Sequence, residues 1–169
     1  MTDYGVRATQ ARVLVAGVGN IFLGDDGFGV EVANRLLERP QPDGVKVADF
    51  GIRGLHLAYE LLEGYELVVL VDALHTGDEP GAIVVFEPDA VTEGGVPPDA
   101  HDMNPETVLG LLADLGGHVE RLLIVGCEPA DLGERIGLSD RMWAAVDDAV
   151  GVVEELIEEE LRVYAGKES

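Results

Sequence analysis

The sequence predicts an α/β domain of three layers, with helices on both faces of a five-stranded, mixed and mostly parallel sheet in which one strand is antiparallel. Three observations predict it. Short apolar runs rich in valine and leucine alternate with segments of helical periodicity, the pattern of strand-helix-strand units that lay helices over a parallel sheet. One of these runs, LVVLV at Leu67–Val71, is apolar at every position, as a strand covered on both faces is. The connection from Asp72 to Ala82 is shorter than the crossover of about a dozen residues that a parallel return needs, so the strand that follows it is expected to be antiparallel.

The first strand is RVLVAG, Arg12 to Gly17, followed by a loop to Asp26. From Gly27 to Glu38 the apolar residues Phe28, Val32, Leu36 and Leu37 fall at helical spacing, and Pro40 and Pro42 end the run. Val45 to Phe50 reads as the second strand, Gly54 to Leu62 as the second helix and Leu67 to Val71 as the third strand. Ala82 to Phe86 is the fourth. Residues Glu87 to Asp102 hold Pro88, Pro97, Pro98, Gly94, Gly95 and several acids, the composition of a long surface loop of the kind that often carries function. A helix is expected from Asn104 to Leu115, with Pro105 at its first position, then a fifth strand from Arg121 to Gly126. The last helix starts after Ser139, a good N-cap, and runs to about Tyr164 with Met142, Val146, Ala149, Val153, Leu156, Ile157 and Leu161 as its apolar stripe.

With 169 residues, 47% of them hydrophobic, the chain suffices for one core and is too short for two ordinary domains. A single domain over 1–169 is expected, with 1–11 as a flexible arm and 165–169 as a frayed tail. No segment approaches the roughly 20 apolar residues that span a bilayer, and the N-terminus lacks the apolar core of a secretory signal, so a cytoplasmic protein without a membrane partner is expected. A single cysteine excludes an intramolecular disulfide and a thiolate zinc site. Any metal must therefore be held by His, Asp or Glu. The net charge of -22, from 33 acids against 11 bases, repels nucleic acid and is otherwise consistent with a solubility feature or a salt-adapted surface.

Ligands in such folds gather at the carboxyl ends of the strands. The glycine-rich GVGNIFLGDDGFG after the first strand suggests a nucleotide-binding turn, but Phe22 stands where a third small residue is required and Asp25 and Asp26 would repel a pyrophosphate. Asp49 stands where a ribose-binding acid would. Two acids opening a helix also have a structural reading, since the helix dipole and its unpaired N–H groups stabilise them. Asp72 ends a buried apolar strand, where an ionised side chain is costly unless paired or liganded, although a turn carboxylate bonded to local N–H groups is the alternative. His101 ends the Pro-rich loop, either as an exposed loop residue or cap, or as a ligand if the loop folds over the same rim. In the latter case Asp26, Asp72 and His101 make a two-carboxylate, one-imidazole site suited to zinc, nickel or manganese, with metal-assisted hydrolysis or metal recognition as its chemistry. His56, His75, His118 and Cys127 have weaker claims.

Five segments taken together, VLVAGVGNIFLGDDGFG, DFGIRGLHLAYEL, LVVLVDA, AHDMNPETVL and IVGCEP followed by IGLS, resemble the hydrogenase maturation proteases in order and spacing. The resemblance implies an endopeptidase that removes a C-terminal extension from the large-subunit precursor of nickel-iron hydrogenase after nickel insertion. It implies that Asp26, Asp72 and His101 are metal positions, that Asp26, Asp72 and Asp49 are the candidate catalytic acids, and that nickel comes with the substrate while zinc or cadmium substitutes in isolated protein. A monomer is expected. The attacking group stays open between a water activated by a carboxylate, a metal-activated water and an aspartic-type pair. A nickel-binding accessory protein that cleaves nothing would use the same three residues.

Overall fold

The computed structural model describes residues 12–88 and 105–168. Strand β1 is Val13–Val18, β2 Val45–Gly51, β3 Leu67–Ala73, β4 Ile83–Phe86 and β5 Leu122–Cys127. They form one sheet in the order β2-β1-β3-β5-β4. All neighbours are parallel except β4, which runs antiparallel to β5 with Val84 opposite Gly126. The mixed sheet anticipated from the short Asp72–Ala82 connection is what forms.

Helices α1 (Phe28–Leu37) and α4 (Asp140–Glu168) cover one face, and α2 (Gly54–Leu61) and α3 (Pro105–Asp114) the other. The strand period of two distributes side chains between them. Val13, Val15, Val69, Val71 and Val125 join Phe28, Leu36, Met142 and Val146 in one core, while Leu14, Ala16, Leu70 and Ile124 join Leu57, Leu61, Val108 and Leu112 in the other. Full burial of each such side chain contributes roughly 1.5–3 kcal/mol against leaving it in water. On the parity of this alternation Asp72 falls on the α2/α3 side of β3, next to Ala73 on the α1/α4 side.

The elements differ from their sequence-based bounds mostly by a residue or two. β3 extends through Asp72 to Ala73, so Asp72 is a strand residue paired with Gly126 rather than the first residue of a turn. α4 continues to Glu168 instead of ending near Tyr164. Arg35 pairs with Asp147, and Arg39 Nη1 lies 2.8 Å from Glu154 Oε1, so the basic side of α1 meets part of the acidic face of α4. Among the described residues, no helix is long and apolar enough to cross a membrane.

Candidate active site

The carboxyl ends of β1, β2 and β3 form the rim of the site. Leaving β1, the chain turns at Gly19, whose φ of 139° is accessible to glycine, and a Cβ there would lie 1.9 Å from the Asp26 carbonyl oxygen. Further on, a Cβ on Gly29 would lie 2.0 Å from the Val71 carbonyl oxygen, so this glycine lets the start of α1 rest directly on the sheet. The glycines thus serve close backbone packing beneath two acids.

A 3₁₀ turn at Gly24–Gly27 carries Asp25 and Asp26. The two point to different tasks. Asp25 is fully buried and accepts hydrogen bonds from Ala130 N (2.9 Å), Asp131 N (2.7 Å), Ser139 N (2.7 Å) and Ser139 Oγ (2.9 Å). Burial alone would raise its carboxyl; the Ser139 and Asp131 N–H groups, with the Ser139 hydroxyl and Ala130 N–H, hold it below the ordinary value. Ser139 was expected to cap α4 with its hydroxyl. It starts the helix through its carbonyl, which accepts from Met142 N and Trp143 N, while the hydroxyl serves Asp25.

Asp26 is half-buried and its Oδ2 accepts the Asn20 N–H at 2.8 Å. Asp72 is 6% exposed at the end of β3. Burial pushes its carboxyl well above the ordinary value, the Asp26 charge pushes it further, and the Ala73 N–H only partly opposes them. The strand and the turn thus bring Asp26 and Asp72 close enough to repel each other. A cation between them would relieve that repulsion, and oxygen donors of this kind suit a divalent metal. Among the described residues, no group of three His, Cys, Asp or Glu side chains is assembled for a metal. His101, expected as the third ligand, lies outside the described residues.

Asp49 stands one strand further along, paired with Gly17. Its Oδ1 accepts Gly51 N–H at 2.8 Å and its carbonyl accepts Arg53 Nη2 at 2.6 Å. It lines a cavity of about 370 Å³ with Gly19, Asn20, Phe22, Glu31 and Asn34. Asp26 and Asp72 do not line that cavity but adjoin it through Gly19 and Asn20. The structure therefore joins Asp26 with Asp72 and sets Asp49 on the neighbouring wall.

Sequence reasoning missed Glu31 and Glu128. Burial raises the Glu31 carboxyl, Arg35 draws it back and Asp49 raises it again. The available signal was an acid set among valines in VEVA. Glu128, in the IVGCEP segment, accepts N–H bonds from Thr76 (3.2 Å) and Gly77 (3.0 Å) and lies 3.1 Å from His75 Nδ1, tying the loop after β3 to the end of β5. His56 and His118 are exposed. Cys127 is buried with its Sγ 3.6 Å from Met142 Sδ, and burial, then the Asp25 and Glu128 charges, push its thiol up to about 12, which disqualifies it as a nucleophile at neutral pH.

Comparison with known proteins agrees with this fold. A model of the hydrogenase maturation protease family matches residues 30–156, a span that includes Asp49, Asp72 and His101. The chain is 30% identical over 164 residues to the hydrogenase expression/formation protein HoxM of Azotobacter vinelandii, covering 95% of this chain and 79% of that protein. Among solved structures, the hydrogenase maturating endopeptidase HybD of Escherichia coli superposes with a TM-score of 0.73 at 28% identity, covering 88% of this chain and 93% of HybD. A hydrogenase 2 maturation peptidase from a Thaumarchaeota archaeon does so at 0.68 and 31%, covering 87% and 98%. On its sequence and its fold alike, this chain belongs to the hydrogenase maturation protease family.

Proposed function

We propose that the chain is the endopeptidase that removes the C-terminal extension of the large-subunit precursor of a nickel-iron hydrogenase after nickel insertion, and that Asp26, Asp72 and His101 engage the nickel carried by that precursor. One observation carries the reading. Asp72 is buried beside Asp26 and, among the described residues, the Ala73 N–H is what opposes the charge there, an arrangement that raises the energy of its ionised form and that a bound cation would reverse. Membership of the family and likeness to a maturating endopeptidase support the substrate.

In this reading the precursor's nickel is a recognition element that fixes the scissile bond near the rim, and ordering the reactants in this way lowers the barrier. Zinc or cadmium takes its place in isolated protein. Asp49 is the carboxylate assigned to proton transfer: its Oδ1 accepts the Gly51 N–H, which fixes the side chain, and it lines the cavity where a water would sit. The water loses a proton to the carboxylate as its oxygen bonds to the peptide carbon, the C–N bond breaks, and the proton passes to the leaving amine.

The direct test is the intact mass of a nickel-loaded precursor before and after incubation with this protein, beside a nickel-free control. A discrete C-terminal peptide should be lost only with nickel present. An unchanged mass with a matched, nickel-loaded precursor would leave a binding module and remove the protease.

A further inference from the structure

The exposed apolar side chains nearest the acids have no role in the chemistry above. Ile52 is 59% exposed, Phe22 61% and Ile136 73%, on a chain of net charge -22. Scattered exposed apolar residues are ordinary, but these are assembled. Ile21, Phe22 and Ile52 line the cavity of about 370 Å³. Arg135 N donates to the Phe22 carbonyl at 3.0 Å, and Gly24 N donates to the Arg135 carbonyl at 2.9 Å, which brings Ile136 alongside the same turn.

The turns that hold them are pinned. Asn20 Oδ1 accepts Phe22 N–H at 2.9 Å, and Arg53 Nε donates to the Phe50 carbonyl at 3.1 Å across the turn that presents Ile52. Side chains held apart on rigid turns lose little entropy when a partner covers them. The patch is also continuous with the proposed chemistry, because Asn20 both lines the cavity and donates its N–H to Asp26. Glu31 and Asp49 in the cavity wall disfavour an acidic occupant.

We infer that Ile21, Phe22, Ile52 and Ile136 form the docking surface for the precursor's C-terminal segment, which lies across them as an extended, non-acidic stretch and places a large apolar side chain in the cavity. This rests on the protease reading for the identity of the occupant. Continuity with the acids sets the distance: an extended chain advances about 3.3 Å per residue, so a side chain in the cavity belongs to a residue close to the cleaved bond.

The test compares Phe22→Ser, Ile52→Ser and Ile136→Ser with Leu37→Ser, a 52% exposed control at the end of α1. Two readouts are taken with nickel-loaded precursor: steady-state cleavage, and equilibrium affinity for fluorescently labelled precursor. Each rim variant should keep its thermal midpoint, weaken binding about tenfold and raise KM in proportion, while the control matches wild type. Rim variants that bind like wild type overturn the inference, as does a loss confined to kcat. Wild-type protein that binds precursor without cutting it, with rim variants that bind weakly, removes the protease reading and leaves the docking surface standing.

Discussion

Asp25 and Asp72 are both buried at the carboxyl rim of the sheet, yet one accepts four hydrogen bonds and the other faces a second acid. Their carboxyls move in opposite directions, Asp25 below the ordinary value and Asp72 well above it. Burial is common to both, so it does not separate them. What separates them is the supply of donors. A buried carboxylate that the fold surrounds with N–H groups is stabilised in its charged form, and one with a like charge for a neighbour is destabilised in it, the property on which the proposed metal contact rests.

The largest effect expected from breaking this comparison is at Asp25. Asp25→Ala leaves the N–H groups of Ala130, Asp131 and Ser139 unpaired, and a cost of about 3–5 kcal/mol is expected in urea denaturation. A loss below about 1 kcal/mol would mean that solvent replaces the carboxylate and that Asp25 is no anchor. Asp72→Asn should do the reverse, raising the stability of metal-free protein at pH values where the wild-type carboxyl is ionised, because an amide carries no charge for burial and Asp26 to disfavour, while lowering precursor processing about a hundredfold. A variant that is both stabilised and fully active would remove Asp72 from the site.

The smallest effect is the most diagnostic, the pH dependence of stability in metal-free protein. Asp25 has a depressed folded-state pKa, so its contribution is present above the ordinary carboxylate value and is lost as pH falls through the depressed one. Asp72 has a raised one, so the folded state holds the proton longer than the unfolded state. Its stabilising share is present at low pH and declines as pH rises from about 3.8 through the raised value. Thermal midpoints across pH should therefore lose their acid-side slope in Asp25→Asn and their slope above the ordinary carboxylate range in Asp72→Asn. The same slopes in both variants would show that other groups set the profile.

The elements of this fold were legible because their signals are local. A valine-rich run, a helical stripe ended by Pro40 and a connection too short for a crossover can each be read within a short window. Asp72 was legible for a related reason, since an acid closing LVVLV is costly wherever that strand is buried. The order β2-β1-β3-β5-β4 and the pairing of α1 with α4 depend on contacts between distant segments.

Asp25 and Asp26 mark the boundary. As neighbours in one GDDG turn they look alike in sequence, and both invite the same helix-dipole reading. The donors that fix Asp25 come from residues 130–139, more than a hundred positions away, and the carboxyl that Asp26 confronts, Asp72, lies on β3. Glu31 meets Asp49 only because α1 lies over the ends of β1 and β2. By itself, then, the sequence determined the layers, the strand types and the cost of the charge at Asp72, all of which follow from side-chain type and spacing along the chain. Tertiary structure alone decided which acid is surrounded by donors and which faces a second acid, because hydrogen bonding and charge repulsion act between groups that only folding brings together.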